Sequence, residues 1–171
     1  MGYKRQFLIS FGGLKLGNHR FDFEIDKGFF EEFESSEYNN GLLRVKLEME
    51  KQERMLTLTF DITGSLEVIC DRCLDPFPLA IAKTHRLFVK FGSESQEESE
   101  DVIVIREGET RFDVSQYIYE YIVLSVPIRH VHPDDEEANS GCNPEFLKRL
   151  NELKPTEKSD PRWDALKELK R

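Results

Sequence analysis

From Leu43 to Met49, and again from Leu56 to Ile62, apolar side chains return at every second position, which commits both segments to strands. Leu43, Val45, Leu47 and Met49 alternate with Arg44, Lys46, Glu48 and Glu50, and Leu56, Leu58, Phe60 and Ile62 repeat the pattern. Phe21, Phe23 and Ile25 show it upstream. Period two places each apolar set on one face, whereas a helix would need a period of about 3.6. One apolar and one polar face per strand predicts an antiparallel sheet with a wet side. Gly64 is expected to mark a turn or bulge before Leu66-Glu67-Val68. Gly28 to Phe33 can form a short helix carrying Phe29, Phe30 and Phe33, and Asn39-Asn40-Gly41 supplies a turn.

Further along, Leu79 to Phe91 reads as another long strand, residues 93–101 as an acidic, Ser-rich connector, and Val102 to Ile105 as a short apolar strand. Asp113 or Ser115 can cap a helix running to about Leu124, with Tyr117, Ile118, Tyr121 and Ile122 as its apolar stripe and Pro127 as its stop. A polar stretch, Pro133 to Ser140, leads to the tail. There Asn143 caps a helix with Pro144 at its first position, leading through Phe146, Leu147 and Leu150, and Asp160-Pro161 repeats the start signal before Trp163, Leu166 and Leu169. The expected fold is α+β: an antiparallel sheet, open or partly closed into a barrel, with one packed helix in residues 1–128. A polar tether and two short C-terminal helices fill residues 129–171.

The chain has 171 residues, 39% apolar and 33% charged, with 13 phenylalanines. This is too aromatic for a disordered chain and too polar for a membrane protein, and a chain of this length buries enough surface to need no disulfide staples. No stretch approaches the roughly 20 apolar residues of a spanning helix. Two basic residues and an apolar run open the chain, but Gly12-Gly13 ends that run without a small-residue cleavage pattern. Three cysteines, an odd number, suit a reducing compartment, so a cytoplasmic location is expected. A formal net charge of −9 disfavours generic binding to RNA or DNA, although a local basic face is compatible with it.

Two of the cysteines form Cys70-Asp71-Arg72-Cys73 at the end of a strand-like run. A Cys-x-x-Cys pair at a strand end or tight turn can aim two thiolates at one zinc ion. Cys142 can add a third sulfur, and either His130 or His132 a nitrogen. These histidines point to opposite sides of an extended segment, so at most one reaches the site. The candidate ligand set is Cys70, Cys73, His132 and Cys142, a closed structural site for one zinc. Such a metal would pin the tail to the sheet.

A redox reading of the pair is weaker, because Pro76 and Pro78 follow too closely for the helix that lowers a thioredoxin-type thiol pKa. There is no Gly-rich phosphate loop and no Gly-x-Ser-x-Gly elbow, and the acidic runs read as solvated faces. His19 and His85 lie in strand-like segments and read as structural. No catalytic residue is assigned and no enzymatic activity is expected. For RNA or another partner the candidates are Arg72, Lys83, Arg86 and Lys90, with Phe77 and Phe88 as stacking groups. The competing reading pairs Arg86 and Lys90 with acids on the wet face of the sheet.

The segment Val68-Ile69-Cys70-Asp71-Arg72-Cys73-Leu74-Asp75-Pro76-Phe77 closely resembles the signature of the YceD family. Phe112-Asp113-Val114-Ser115 with Tyr121-Ile122-Val123-Leu124-Ser125-Val126-Pro127 resembles the family's acidic helix ending in an apolar-Pro segment. His132 and Cys142 fall where members carry a histidine and a cysteine. Asp160-Pro161-Arg162-Trp163-Asp164-Ala165-Leu166 is similar to the closing element. The likeness runs from about residue 45 to the end. This chain departs from relatives that carry a second cysteine cluster in the C-terminal third, because it keeps only Cys142 there.

The resemblance implies a non-catalytic ribosome-biogenesis role, supporting accumulation of large-subunit (23S) ribosomal RNA by binding that RNA or an assembling large-subunit ribosomal protein. Neither membrane nor DNA is an expected partner. The alternative is a protein-binding regulatory module, with or without a structural zinc, whose effect on ribosomal RNA is indirect.

Overall fold

A computed structural model of the chain describes residues 6–33, 36–93, 95–99, 101–134 and 141–153. The chain divides into two units, one made of Met1–Ile69 and Pro76–His130, the other of Cys70–Asp75 and Val131–Arg171.

The first unit is built on the alternating segments. Strands Gly17–Ile25 (β2), Gly41–Lys51 (β3), Met55–Ile69 (β4) and Pro76–Gly92 (β5) pair antiparallel in sequence order. Their registers stack the apolar sets: Phe23 opposite Val45, Val45 opposite Ile62, and Phe60 opposite His85. Val45, Leu47, Leu56, Leu58, Phe60 and Ile62 are wholly buried. A one-residue slip would turn all of them to water, so this face specifies the register. The wet face does so as well. Arg20 faces Glu48, Asp22 faces Lys46, and Glu24 faces Arg44 across β2 and β3. Arg20–Glu48 closes to 2.8 Å and Arg44–Glu24 to 3.7 Å, exposed pairs that contribute to register more than to stability.

Gly64 does not turn the chain. β4 runs unbroken through it, at φ 143°, and a Cβ there would lie 2.2 Å from the Leu42 carbonyl oxygen of β3. The glycine permits a close backbone approach inside a 15-residue strand, where the period-two pattern alone suggested a break.

The sheet is mixed rather than wholly antiparallel. Val102–Arg106 (β7) pairs parallel with β5, and Gln96–Ser99 (β6) pairs antiparallel with the outer side of β7, giving the order β2-β3-β4-β5-β7-β6. The acidic segment expected to be a plain connector therefore contains an edge strand. The apolar run Ile103-Val104-Ile105, buried in the sheet, takes the inner place, and the charged sequence of β6 suits an edge. β2 and β6 are both edges, so the described residues form no closed barrel.

The apolar run near the start is part of this unit. Leu8–Ser10 (β1) pairs with Arg111–Asp113 (β8), and Phe7, Ile9 and Phe11 are buried. Lys27–Phe30 (α1) is held by the Asp26 side chain, which accepts from the Gly28 N–H. It buries Phe29 and Phe30, with the Phe29 ring 5.0 Å from that of Phe7.

The helix Ser115–Ser125 (α2) packs on the apolar face, as its stripe predicts. Asp113 accepts from the Ser115 N–H at 2.9 Å, and Ile118, Tyr121 and Ile122 are buried. The Tyr121 ring lies flat on His85 and edge-on to Phe60, with centroids 4.6 and 5.2 Å away. Its hydroxyl donates to the Arg86 carbonyl at 3.2 Å.

In the second unit, Pro144–Leu153 (α3) starts where the Asn143-Pro144 signal places it: the Asn143 side chain accepts from the Glu145 N–H at 3.0 Å. The second tail helix expected around Trp163 lies outside the described residues. No helix among the described residues is long and apolar enough to cross a membrane.

Candidate metal centre

The six residues from Cys70 to Asp75 form a tight turn. The Cys70 N–H donates to the Asp75 carbonyl at 3.0 Å, and the Leu74 N–H to the Cys70 carbonyl at 2.9 Å. Closing it puts Leu74 at φ 62°, the left-handed region that a leucine adopts at a cost. The Arg72 N–H points back at the Cys70 sulfur, 3.4 Å away.

Two further segments of the same unit complete the cluster. Gly141 donates its N–H to the Pro133 carbonyl at 3.2 Å. A Cβ on Gly141 would sit 2.8 Å from that oxygen and 3.3 Å from the His132 Cβ, so only glycine lets the chain fold back closely here. Cys142 follows directly, and Asn143 then opens α3.

Cys70 and Cys142 sulfurs lie 3.7 Å apart, and the Cys73 sulfur is 3.4 Å from His132 Nδ1. All four ligand atoms fall within 4.8 Å of one another. Tetrahedral zinc with bonds of about 2.3 Å to sulfur and about 2.0 Å to nitrogen would separate two sulfurs by about 3.8 Å, and sulfur from nitrogen by about 3.5 Å. A disulfide would need about 2.05 Å. The three cysteines are free and buried, and His132 is half-buried. Those two distances match edges of a coordination tetrahedron, and the remaining ones stay within 4.8 Å. Three sulfurs and one imidazole nitrogen suit zinc and leave no ligand position open, which is the character of a structural site.

The electrostatics fit the same role. Burial pushes the Cys70 thiol up, but the Cys73 and Arg72 backbone N–H groups, helped by His132, outweigh it and bring the thiol down to about 6. A thiolate is thus stabilised before any cation arrives. Burial raises the Cys73 thiol, and the neighbouring Cys70 and Cys142 sulfurs add to this, against opposing bonds from the Asn143 and Asp75 backbone. A cation placed among these sulfurs would relieve that crowding.

All four predicted ligands therefore meet. His130 does not join them; its Nδ1 lies 3.1 Å from the Pro127 carbonyl oxygen. Two contributors carried little signal. The turn signal Gly141-Cys142 could have revealed the fold-back, whereas nothing about a leucine at position 74 announces a left-handed residue.

The proposed cationic surface is dispersed. Along β5 the side chains alternate, so Arg86 and Lys90 share the wet face with half-buried Phe88, while Lys83 takes the opposite parity, opposite Ile62. Arg72 is half-buried in the cysteine turn, and Phe77 is buried in the sheet domain with 6% exposure, so its ring is not open to a base. The thiols are enclosed too. Strand parity thus parts Lys83 from Arg86 and Lys90 along β5, and the turn encloses the thiols.

Comparison with known proteins adds a family. The family model described as "Large ribosomal RNA subunit accumulation protein YceD" matches residues 58–170, a span holding the cysteine turn, α2, His132, Cys142 and α3. No curated protein and no solved structure matches the chain. By that match over most of its length, the chain belongs to the YceD family, whose name ties it to accumulation of the large ribosomal RNA subunit.

Proposed function

We propose that this protein is a cytoplasmic, non-catalytic ribosome-biogenesis factor that supports accumulation of 23S ribosomal RNA by docking on a basic, assembling large-subunit ribosomal protein. The family match carries the process. Charge favours the protein partner: the net charge is −9, and the wet face between β2 and β3 is already paired acid to base. Of the cations suggested for phosphate contact, Lys83 is parted from Arg86 and Lys90 by the faces of β5, Arg72 is half-buried in the cysteine turn, and Phe77 is withdrawn from stacking.

Zinc serves this role as a structural ion. Cys70, Cys73, His132 and Cys142 would hold it, joining three chain segments at a free-energy gain of about 10–16 kcal/mol in comparable peptide sites. It would supply rigidity and no reaction step.

Affinity capture from cells, with and without ribonuclease, tests the partner. Large-subunit proteins retained after digestion support the proposal. Loss of every ribosomal component on digestion, with salt-sensitive binding to naked RNA weakened by Arg72→Glu, would replace it with direct RNA contact. Retention of only non-ribosomal proteins would leave a regulatory module acting on ribosomal RNA indirectly.

A further inference from the structure

The unit made of Cys70–Asp75 and Val131–Arg171 differs from the sheet domain in what it buries. Among its described residues, the buried side chains are those of Cys70, Cys73 and Cys142. Phe146 and Leu147 are half-buried, and α3 buries no residue fully. The sheet domain instead buries an aliphatic and aromatic core from β1 to α2.

The described part of this unit, which buries no such core of its own, needs another source of order: a disulfide, a metal or a partner. The cysteines are free, so no crosslink holds it. The described residues of α3 bury no side chain fully, so packing within them adds little to the helix's order. Among the described residues, the ligand cluster ties the unit's segments together, its members coming from the turn, from the segment around His132, and from the residue preceding the α3 cap.

Resting on the zinc reading above, we infer that this unit is a metal-conditional module. It folds when Cys70, Cys73, His132 and Cys142 hold zinc and loses its order when zinc leaves, while the sheet domain stays folded in both states. Zinc availability thereby switches α3 between an ordered element and a released segment. The turn Cys70–Asp75 can loosen without unpairing the sheet, because β4 and β5 are in register from Ile69–Pro76 inward over the whole length of β4.

Hydrogen exchange on the full-length protein tests this, comparing zinc-loaded with chelator-stripped samples and measuring zinc content in each. The expected result is at least a tenfold loss of protection for amides of residues 144–153 on stripping, with residues 43–62 and 115–125 changing less than twofold. Full-length Cys142→Ser, with no chelator, should reproduce the stripped pattern. Equal protection of residues 144–153 with and without bound zinc would overturn the inference while leaving the zinc reading intact. Joint loss of protection in β4 and α3 would overturn it as well. Failure of the unmodified protein to bind zinc at all would remove the zinc reading and the inference together.

Discussion

The sulfurs of Cys70 and Cys142 lie 3.7 Å apart although 72 positions separate them in the chain. That gap is too wide for a bond between them and close to the edge of a zinc tetrahedron. Their meeting depends on a turn that aims Cys70 and on Gly141, which brings Cys142 back against the segment holding His132.

Removing one ligand should therefore remove the metal. Cys142→Ser is expected to lower zinc content from about one ion per chain to about a tenth or less after dialysis, whereas His130→Ala leaves it unchanged. Elemental analysis of protein purified without a histidine tag decides this. Equal zinc in Cys142→Ser would exclude the proposed ligand set.

Leu74 offers a test in the opposite direction. Its left-handed backbone costs about 1–2 kcal/mol, and glycine removes that cost while giving back part of it as unfolded-chain entropy. Leu74→Gly should tighten zinc binding by about two- to fivefold, equivalent to about 0.5–1 kcal/mol, in a competition titration with a chromophoric chelator. Weaker binding would show that the leucine side chain, rather than the backbone of the turn, stabilises the loaded form.

Gly64 should tolerate nothing larger. A methyl group there meets the Leu42 carbonyl oxygen at 2.2 Å and the Leu43 Cα at 2.7 Å, both backbone atoms of the paired strand, and φ is 143°. Gly64→Ala is expected to destabilise the sheet domain by roughly 3 kcal/mol or more, read as a lowered urea midpoint. A loss below about 0.5 kcal/mol would mean that β3 and β4 do not approach this closely.

His85 should make the sheet domain acid-sensitive. Ser125 donates its hydroxyl proton to the Tyr121 carbonyl at 2.6 Å, so toward His85 Nε2, 3.0 Å away, it can only accept. Burial lowers the His85 pKa below its ordinary 6.5, with Lys83 acting in the same direction and Asp101 against. The unfolded chain thus binds this proton more readily than the folded one. The stability involved is present above about pH 6.5 and is lost as pH falls toward the folded value. His85→Gln should flatten the fall in urea midpoint between pH 7 and pH 5 relative to the unaltered protein. Identical slopes would show that His85 keeps its ordinary pKa in the folded chain.

What could be read from the residues was local. Alternation located β2 to β5, the Asp113 and Asn143-Pro144 signals located the starts of α2 and α3, and the spacing of Cys70 and Cys73 with His132 and Cys142 named the cluster. The strands and helix starts depend on neighbours a few positions apart, where side-chain period and capping chemistry act directly, whereas the cluster was named from its donor types around the Cys70–Cys73 pair. Tertiary structure decided the rest. Only long-range pairing slots β7 between β5 and β6, which makes the sheet mixed, and only the approach of β3 turns Gly64 from an expected break into a contact point. Strand parity acts over the whole of β5 to part Lys83 from Arg86 and Lys90, and packing withdraws Phe77 from the surface. Whether sulfurs 72 positions apart converge is settled by chain closure, a cost set by the whole fold, and no local pattern encodes it.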